Sequence, residues 1–289
     1  MTRAQLTVAR DAALLGTTYK VEVAGLLARI DAMRDDFAEW ATLSLPHSFD
    51  RIAAGTRVDL DRLRGVCEAE QAARVELLAR DHARTVGVEI ETVPGKVPAF
   101  TIRAQARGTR ALEADLAQLA VFGVQPPVCD AAREAVSALG AEQLVSITDQ
   151  VAADGTPTWE LRVAQTNHTE QLRSATRARI DRLAASVGVT AAQRRVAGGL
   201  HDSLAREQLT HAWIRLGQRT IAPAVGLVWD RVEWQPIQRM LAGFHPAGDP
   251  VARIAQLSRV SDVEVATVEL VLGPVDPPAM RILVSVEGT

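Results

Sequence analysis

The stretch LVSITDQVAADGTPTWELRVAQT (144–166) decides the fold. It reads as two strands joined by a turn at Asp154-Gly155. Val145, Ile147, Trp159, Leu161 and Val163 take one side of the pleat, and Ser146, Thr148, Glu160, Arg162 and Thr166 take the other. Successive strand side chains point to opposite faces, so this hairpin has one apolar face and one wet face. What the wet face looks at, open solvent or a closed polar chamber, determines the architecture.

Comparable hairpins recur on either side. TVGVEIETVPGKVPAFTIRAQARG (85–108) turns at Val93-Pro94-Gly95-Lys96, with Val86, Val88, Ile90, Phe100 and Ile102 on one face and Glu89, Glu91, Arg103 and Gln105 on the other. HAWIRLGQ pairs with AVGLVWDRVEW around a loop holding Pro223, and DVEVATVELVLG pairs with AMRILVSVEG. An earlier pair, WATLSL and TRVDL, flanks the loop PHSFDRIAAG.

Between hairpins the apolar period changes to three and four residues, the mark of amphipathic helices. One long helix is expected from Asp59 to Ala83, with Leu63, Val66, Ala73, Leu77 and Leu78 in its buried stripe. Further helices carry Leu112, Leu116 and Leu119, then Ala132, Val136 and Leu139, then Leu172 to Val187 and Val196 to Leu204; the shorter QPIQRMLAGF and DPVARIAQLSRV complete the set. Gly123, Gly140 and Gly188 stand just past the last apolar residue, where a left-handed cap belongs. Residues 1–39 read as N-terminal helices, with 40–289 as repeated strand-pair and helix units of a single domain.

The fold class is therefore α+β, built from repeated ββαα units. Helices with one apolar stripe can cover the apolar face of the sheet, leaving the polar face free. Closure of about ten antiparallel strands into a barrel would remove the sheet edges and make that polar face a lumen. The competing arrangement is a one-layer sheet with a solvated face, as two tandem ferredoxin-like units.

The chain has 289 residues, 47% hydrophobic and 23% charged, with a formal net charge of −3. A pI near 6.1 argues against nucleic-acid binding, which favours a basic surface. Only Lys20 and Lys96 among 32 basic residues are lysine, a skew typical of a GC-rich bacterial genome. Any anion site must then be made of guanidinium forks. Cys67 and Cys129 are too few for a disulfide framework or a zinc site. With no signal-peptide pattern and no apolar run long enough for a span, a cytoplasmic protein is expected. GxSxG, P-loop, GxGxxG and HExxH patterns are absent. His201 and His211, ten residues apart, are assigned no metal.

The succession of strand pairs and paired helices, apolar outside and polar inside, resembles the ABBA barrel of soluble aromatic prenyltransferases from about residue 20 onward. The closest local likeness is ALGAEQLVSITDQ running into TWELRVAQT, similar to the bacterial phenol- and naphthol-modifying branch. The resemblance implies a transferase of secondary metabolism. It would move a prenyl group from an allylic diphosphate to an electron-rich aromatic small molecule inside the lumen. This sequence departs from the family in having one tyrosine, Tyr19, outside the strands, and no lysine on any predicted strand.

Arg57, Arg103, Arg162, Arg215 and Arg281 fall on the predicted polar face, one per hairpin, and are the candidates for holding a diphosphate. The alternative is that they pair with Glu89, Glu91, Glu160 and Glu269 as cross-strand bridges, in a non-catalytic ligand-binding or structural barrel with a salt-bridged interior. Glu160 and Glu269 are the candidate general bases. Trp213 and Trp229, and also Trp40, could stack on an aromatic acceptor or a cation. Without an acidic DDxxD-type cluster no cofactor is required and no protein-held Mg²⁺ site is expected, although a soluble Mg²⁺ ion could assist. The oligomeric state, the acceptor and the prenyl length are not readable.

Overall fold

The computed structural model describes residues 40–45, 51–79, 84–93, 99–151, 155–165, 169–204, 209–244, 265–273 and 279–285. The N-terminal helices expected in 1–39, Tyr19, both lysines, the Pro94-Gly95 turn and the helix expected at 249–260 lie outside the described residues.

The described strands are β1 (Trp40–Leu45), β2 (Arg51–Asp59), β3 (Thr85–Val93), β4 (Ala99–Ala111), β5 (Gln143–Val151), β6 (Pro157–Ala164), β7 (Leu209–Leu216), β8 (Ile221–Glu233), β9 (Val265–Leu272) and β10 (Ala279–Ser285). The helices are α1 (Ala69–Ala79), α2 (Leu112–Val121), α3 (Pro126–Ala138), α4 (Glu170–Ser186), α5 (Ala191–Ser203) and α6 (Trp234–Phe244). Each strand pairs antiparallel with its neighbours in sequence, and β1 pairs with both β2 and β10, so the sheet closes into a barrel. A one-layer sheet of two tandem units is thereby overturned.

The helices lie outside. Leu116, Leu119, Val136, Ile180, Leu183 and Ile237 form one apolar cluster with the outward strand residues Val88, Ile90, Ile147, Trp159, Leu161 and Ile282. Asp149, fully buried on the β5 wall, is met by Arg74 of α1, whose Nε and Nη2 donate to its two oxygens at 2.8 and 3.1 Å. Arg110, at the end of β4, donates to Asp115 of α2 and to the carbonyl of Leu78 in α1. These clamps fix the helical shell to the wall. Gly123, Gly140 and Gly188 have φ of 90°, 74° and 84°, the left-handed caps expected of them.

Some local expectations are corrected. The helix expected from Asp59 is a 3-10 turn at Leu60–Gly65 followed, after a break, by α1. Restarting the helix at Ala69 shifts its inner stripe to Gln71, Ala72, Val75, Leu78 and Ala79, so Ala73 is exposed and Leu77 only half-buried. β2 begins at Arg51, inside the stretch read as a loop. Its Ala53 and Gly55 oppose Glu91 and Glu89 and carry no alternating apolar signal. Pro223 lies within β8 rather than in the turn. Leu144 joins the apolar cluster while Val145 is half-buried; the ladder shifts here between Arg107 and Arg110 of β4.

Candidate functional site in the barrel lumen

The inward face is fixed by register. Across the wall Glu89 opposes Arg103, Thr148 opposes Glu160, Glu160 opposes Arg215 and Arg162 opposes Trp213, and Glu269 opposes Arg281. Strands at barrel tilt bring these side chains from different heights into one layer.

Two carboxylates organise that layer. Glu160 accepts from Arg103 at Oε2 and from Arg215 Nη2 at Oε1, 2.6 Å. Glu269 Oε1 accepts from Arg162 Nη2 at 3.0 Å and from the indole Nε1 of Trp213 at 2.6 Å. Its Oε2 accepts from Arg281 Nη1 at 2.8 Å, with Arg103 Nη1 3.9 Å away. Arg281 also donates to Glu89. Four guanidiniums and three carboxylates from six strands thus form one network, and the charge of Glu91 also acts on Arg103. Arg162 and Arg215 each hold a buried Nε–H that finds no acceptor among the described residues. Such a donor is an unmet demand in a low-dielectric interior.

Burial works to raise the Glu160 carboxyl, but the charges of Arg103 and Arg215 prevail and hold it below the usual carboxylate range. Burial likewise works against the Arg103 charge, and Glu160 and Glu269 overcome it and push its pKa up. A cavity of about 80 Å³ remains beside the network, lined among others by Arg103, Arg107, Arg162, Glu269, Thr267 and Arg281. Drug-sized ligand pockets run from roughly 300 Å³ upward, so this cavity in its present state is too small for such a ligand.

The structure brings Arg103, Arg162, Arg215, Arg281, Glu160, Glu269 and Trp213 together. Arg57, opposite Gly87 on β2, is exposed. Trp229 is a correction. It pairs with Val268 and belongs to the outer apolar cluster, whereas its neighbour Val228 lines the cavity opposite Glu269. Bulges in β7 and β8 made the parity of this hairpin unreadable from the sequence, and core packing claims the ring. Trp40 opposes Gly55 and Ser285 in the ladder.

Several lumen residues were not named as site candidates in the sequence reading, although Gln105 and Ser146 were placed on its polar face. Asp230 accepts from Thr210 Oγ1 at 2.9 Å and from Thr267 Oγ1 at 2.8 Å. It precedes Arg231, whose φ of 57° marks the bulge. His211 opposes Val228 on the inward side; burial and the Arg162 charge push its pKa down to about 4. Gln105 donates to Ser146 at 2.9 Å and accepts from Arg107 at 2.8 Å. Their signal was the same inward parity that exposed the arginines. For Asp230 and His211 the bulges hid it.

Among the described residues no cluster of three or more His, Cys, Asp or Glu could hold a metal ion, and no helix is long and apolar enough to cross a membrane. Both cysteines are buried and free.

No protein-family model matches the chain, and no curated protein matches its sequence. Solved structures do. The chain is similar to 5-dimethylallyltryptophan synthase from Streptomyces coelicolor (13% identity, 97% of this chain and 95% of that one, TM-score 0.61). It is similar to 6-dimethylallyltryptophan synthase from Micromonospora olivasterospora in complex with DMASPP and Trp (13%, 97% and 95%, 0.60). AnaPT from Neosartorya fischeri is a third (12%, 100% and 96%, 0.61). The chain therefore has the ABBA-barrel fold seen in aromatic prenyltransferases.

Proposed function

We propose that the chain is a transferase that moves a prenyl group from an allylic diphosphate to an electron-rich aromatic small molecule within the lumen. The observation that carries this reading is a pair of unmet donors: the buried Nε–H groups of Arg162 and Arg215, in a lumen layer rich in guanidiniums, find no acceptor among the described residues. Diphosphate oxygens would satisfy those donors and stabilise the leaving group as the allylic C–O bond breaks. The resulting cation would be captured by a ring carbon of the acceptor, and Glu160 or Glu269 would take the ring proton once the C–C bond has formed. The complex of a similar barrel with DMASPP and Trp supports the pairing of substrates.

Guanidiniums would hold the anion without a protein-held Mg²⁺, so chelation should leave binding of a prenyl diphosphate unchanged. In this reading the chain works in the cytoplasm of a bacterium, in secondary metabolism. The test is turnover: purified protein is incubated with dimethylallyl or geranyl diphosphate and a panel of phenols and indoles. Release of diphosphate with formation of a prenylated ring is expected. No product with any pair would contradict the proposal.

A second reading is favoured by the cavity of about 80 Å³ and by the pairing of every carboxylate in the network. There the lumen is a structural salt-bridge lattice, and the barrel is non-catalytic. Buried ion pairs of this kind do not by themselves indicate stability, and that reading leaves the unmet Nε–H donors of Arg162 and Arg215 unexplained.

A further inference from the structure

Trp213 is fully buried, yet it stands apart from the apolar cluster that takes its neighbours Ala212 and Ile214. Its surroundings are those of a bound ligand rather than of a core residue. The indole N–H donates to Glu269 Oε1 at 2.6 Å, a short bond to a carboxylate already held by Arg162 and Arg281. The guanidinium carbon of Arg215 lies over the ring, 5.1 Å from its centroid, within reach of a cation–π contact. Across the ladder stands Gly226, where a Cβ would overlap the indole at Cε2, Nε1 and Cζ2. The ring thus rests directly on the β8 backbone. Glycine, guanidinium and carboxylate together form a flat slot that reads one N–H edge.

We propose that Trp213 sets the acceptor selectivity of the lumen: its own indole fills a slot suited to a flat N–H heteroaromatic ring and so excludes free indoles. The proposal rests on the lumen being an aromatic-acceptor site. The neighbouring cavity of about 80 Å³ is lined by Arg162, Val228 and Glu269, and shortening Trp213 would join it to the space the ring now fills. In the parent protein only an acceptor that leaves this slot alone would be admitted. In the shortened variant an indole could enter with its N–H on Glu269.

The experiment is titration of indole, and of benzofuran as the same shape without the N–H, into the parent, Trp213→Ala and Trp213→Phe, with circular dichroism confirming the fold. Trp213→Ala is expected to bind indole at least about tenfold more tightly than the parent, and more tightly than benzofuran, a difference of about 1.4 kcal/mol or more per comparison. Trp213→Phe, which frees the carboxylate but keeps the slot filled, should gain little. A folded Trp213→Ala that binds indole no better than the parent, or no better than benzofuran, overturns the proposal. If that variant does not fold alone, refolding with each compound replaces the titration. Equal recovery with the two would overturn the proposal as well. Because the readout is binding, indole uptake with no prenyl transfer by any form contradicts the function proposed above while leaving the slot in place.

Discussion

His211 shows how the lumen's charge reaches a single side chain. Arg162 and Arg107 disfavour its protonation and Asp230 favours it; with burial, the result is a pKa of about 4. A histidine depressed in the folded state binds its proton first in the unfolded chain, near its ordinary value of about 6.5. Stability from this group is full above that value and is lost as pH falls toward 4. Unfolding measured between pH 7 and 4 should therefore fall more steeply for the parent than for His211→Gln; equal slopes would contradict the assignment. Glu160 acts further down the scale, its stabilisation present above the ordinary carboxylate range and lost as pH falls through its lowered pKa. Gly226→Ala tests the close approach of Trp213. A methyl there must displace the indole, so a loss of about 1–3 kcal/mol is expected in denaturant unfolding, and an unchanged midpoint would show that the ring does not rest on the strand.

The elements were legible where the pleat was regular. In 144–166 the parity of Ile147, Trp159, Leu161 and Val163 predicted the outer face, and that of Glu160 and Arg162 predicted the inner one; both hold. In β7 and β8 the bulges reset the alternation, so Trp213 and Trp229 looked equivalent and are not. β2 escaped because alanine and glycine carry no hydropathic contrast, and the two-part helical segment after it because a break at 66–68 resets a helical stripe. Nor does any periodicity announce a clamp such as Arg74 with Asp149, whose partners lie far apart in the chain. Its strength is testable. Arg74→Ala leaves a carboxylate with no solvent exposure facing the apolar shell, and a loss of about 3–5 kcal/mol is expected. Asp149→Asn with Arg74→Gln should recover part of it. A single Arg74→Ala with unchanged unfolding would contradict the clamp.

Closure is what turns ten modest strands into a chamber. Inward polar groups come from strands all around the wall, and only when β1 joins β10 to β2 do residues as distant as Glu89 and Arg281 meet. The resulting lattice sits between two roles, since the guanidiniums that could grip a diphosphate now grip carboxylates. Arg162 separates the roles, because it donates to Glu269 and keeps a buried Nε–H that finds no acceptor among the described residues. The decisive measurement is calorimetric titration of dimethylallyl thiolodiphosphate into the parent and Arg162→Ala, with thermal unfolding recorded on both. Saturable binding by the parent is expected, weakened in Arg162→Ala by about 1.5–3 kcal/mol, the worth of a charged hydrogen bond. No binding by the parent, with Arg162→Ala losing stability alone, would contradict a diphosphate site and leave the arginines as lattice.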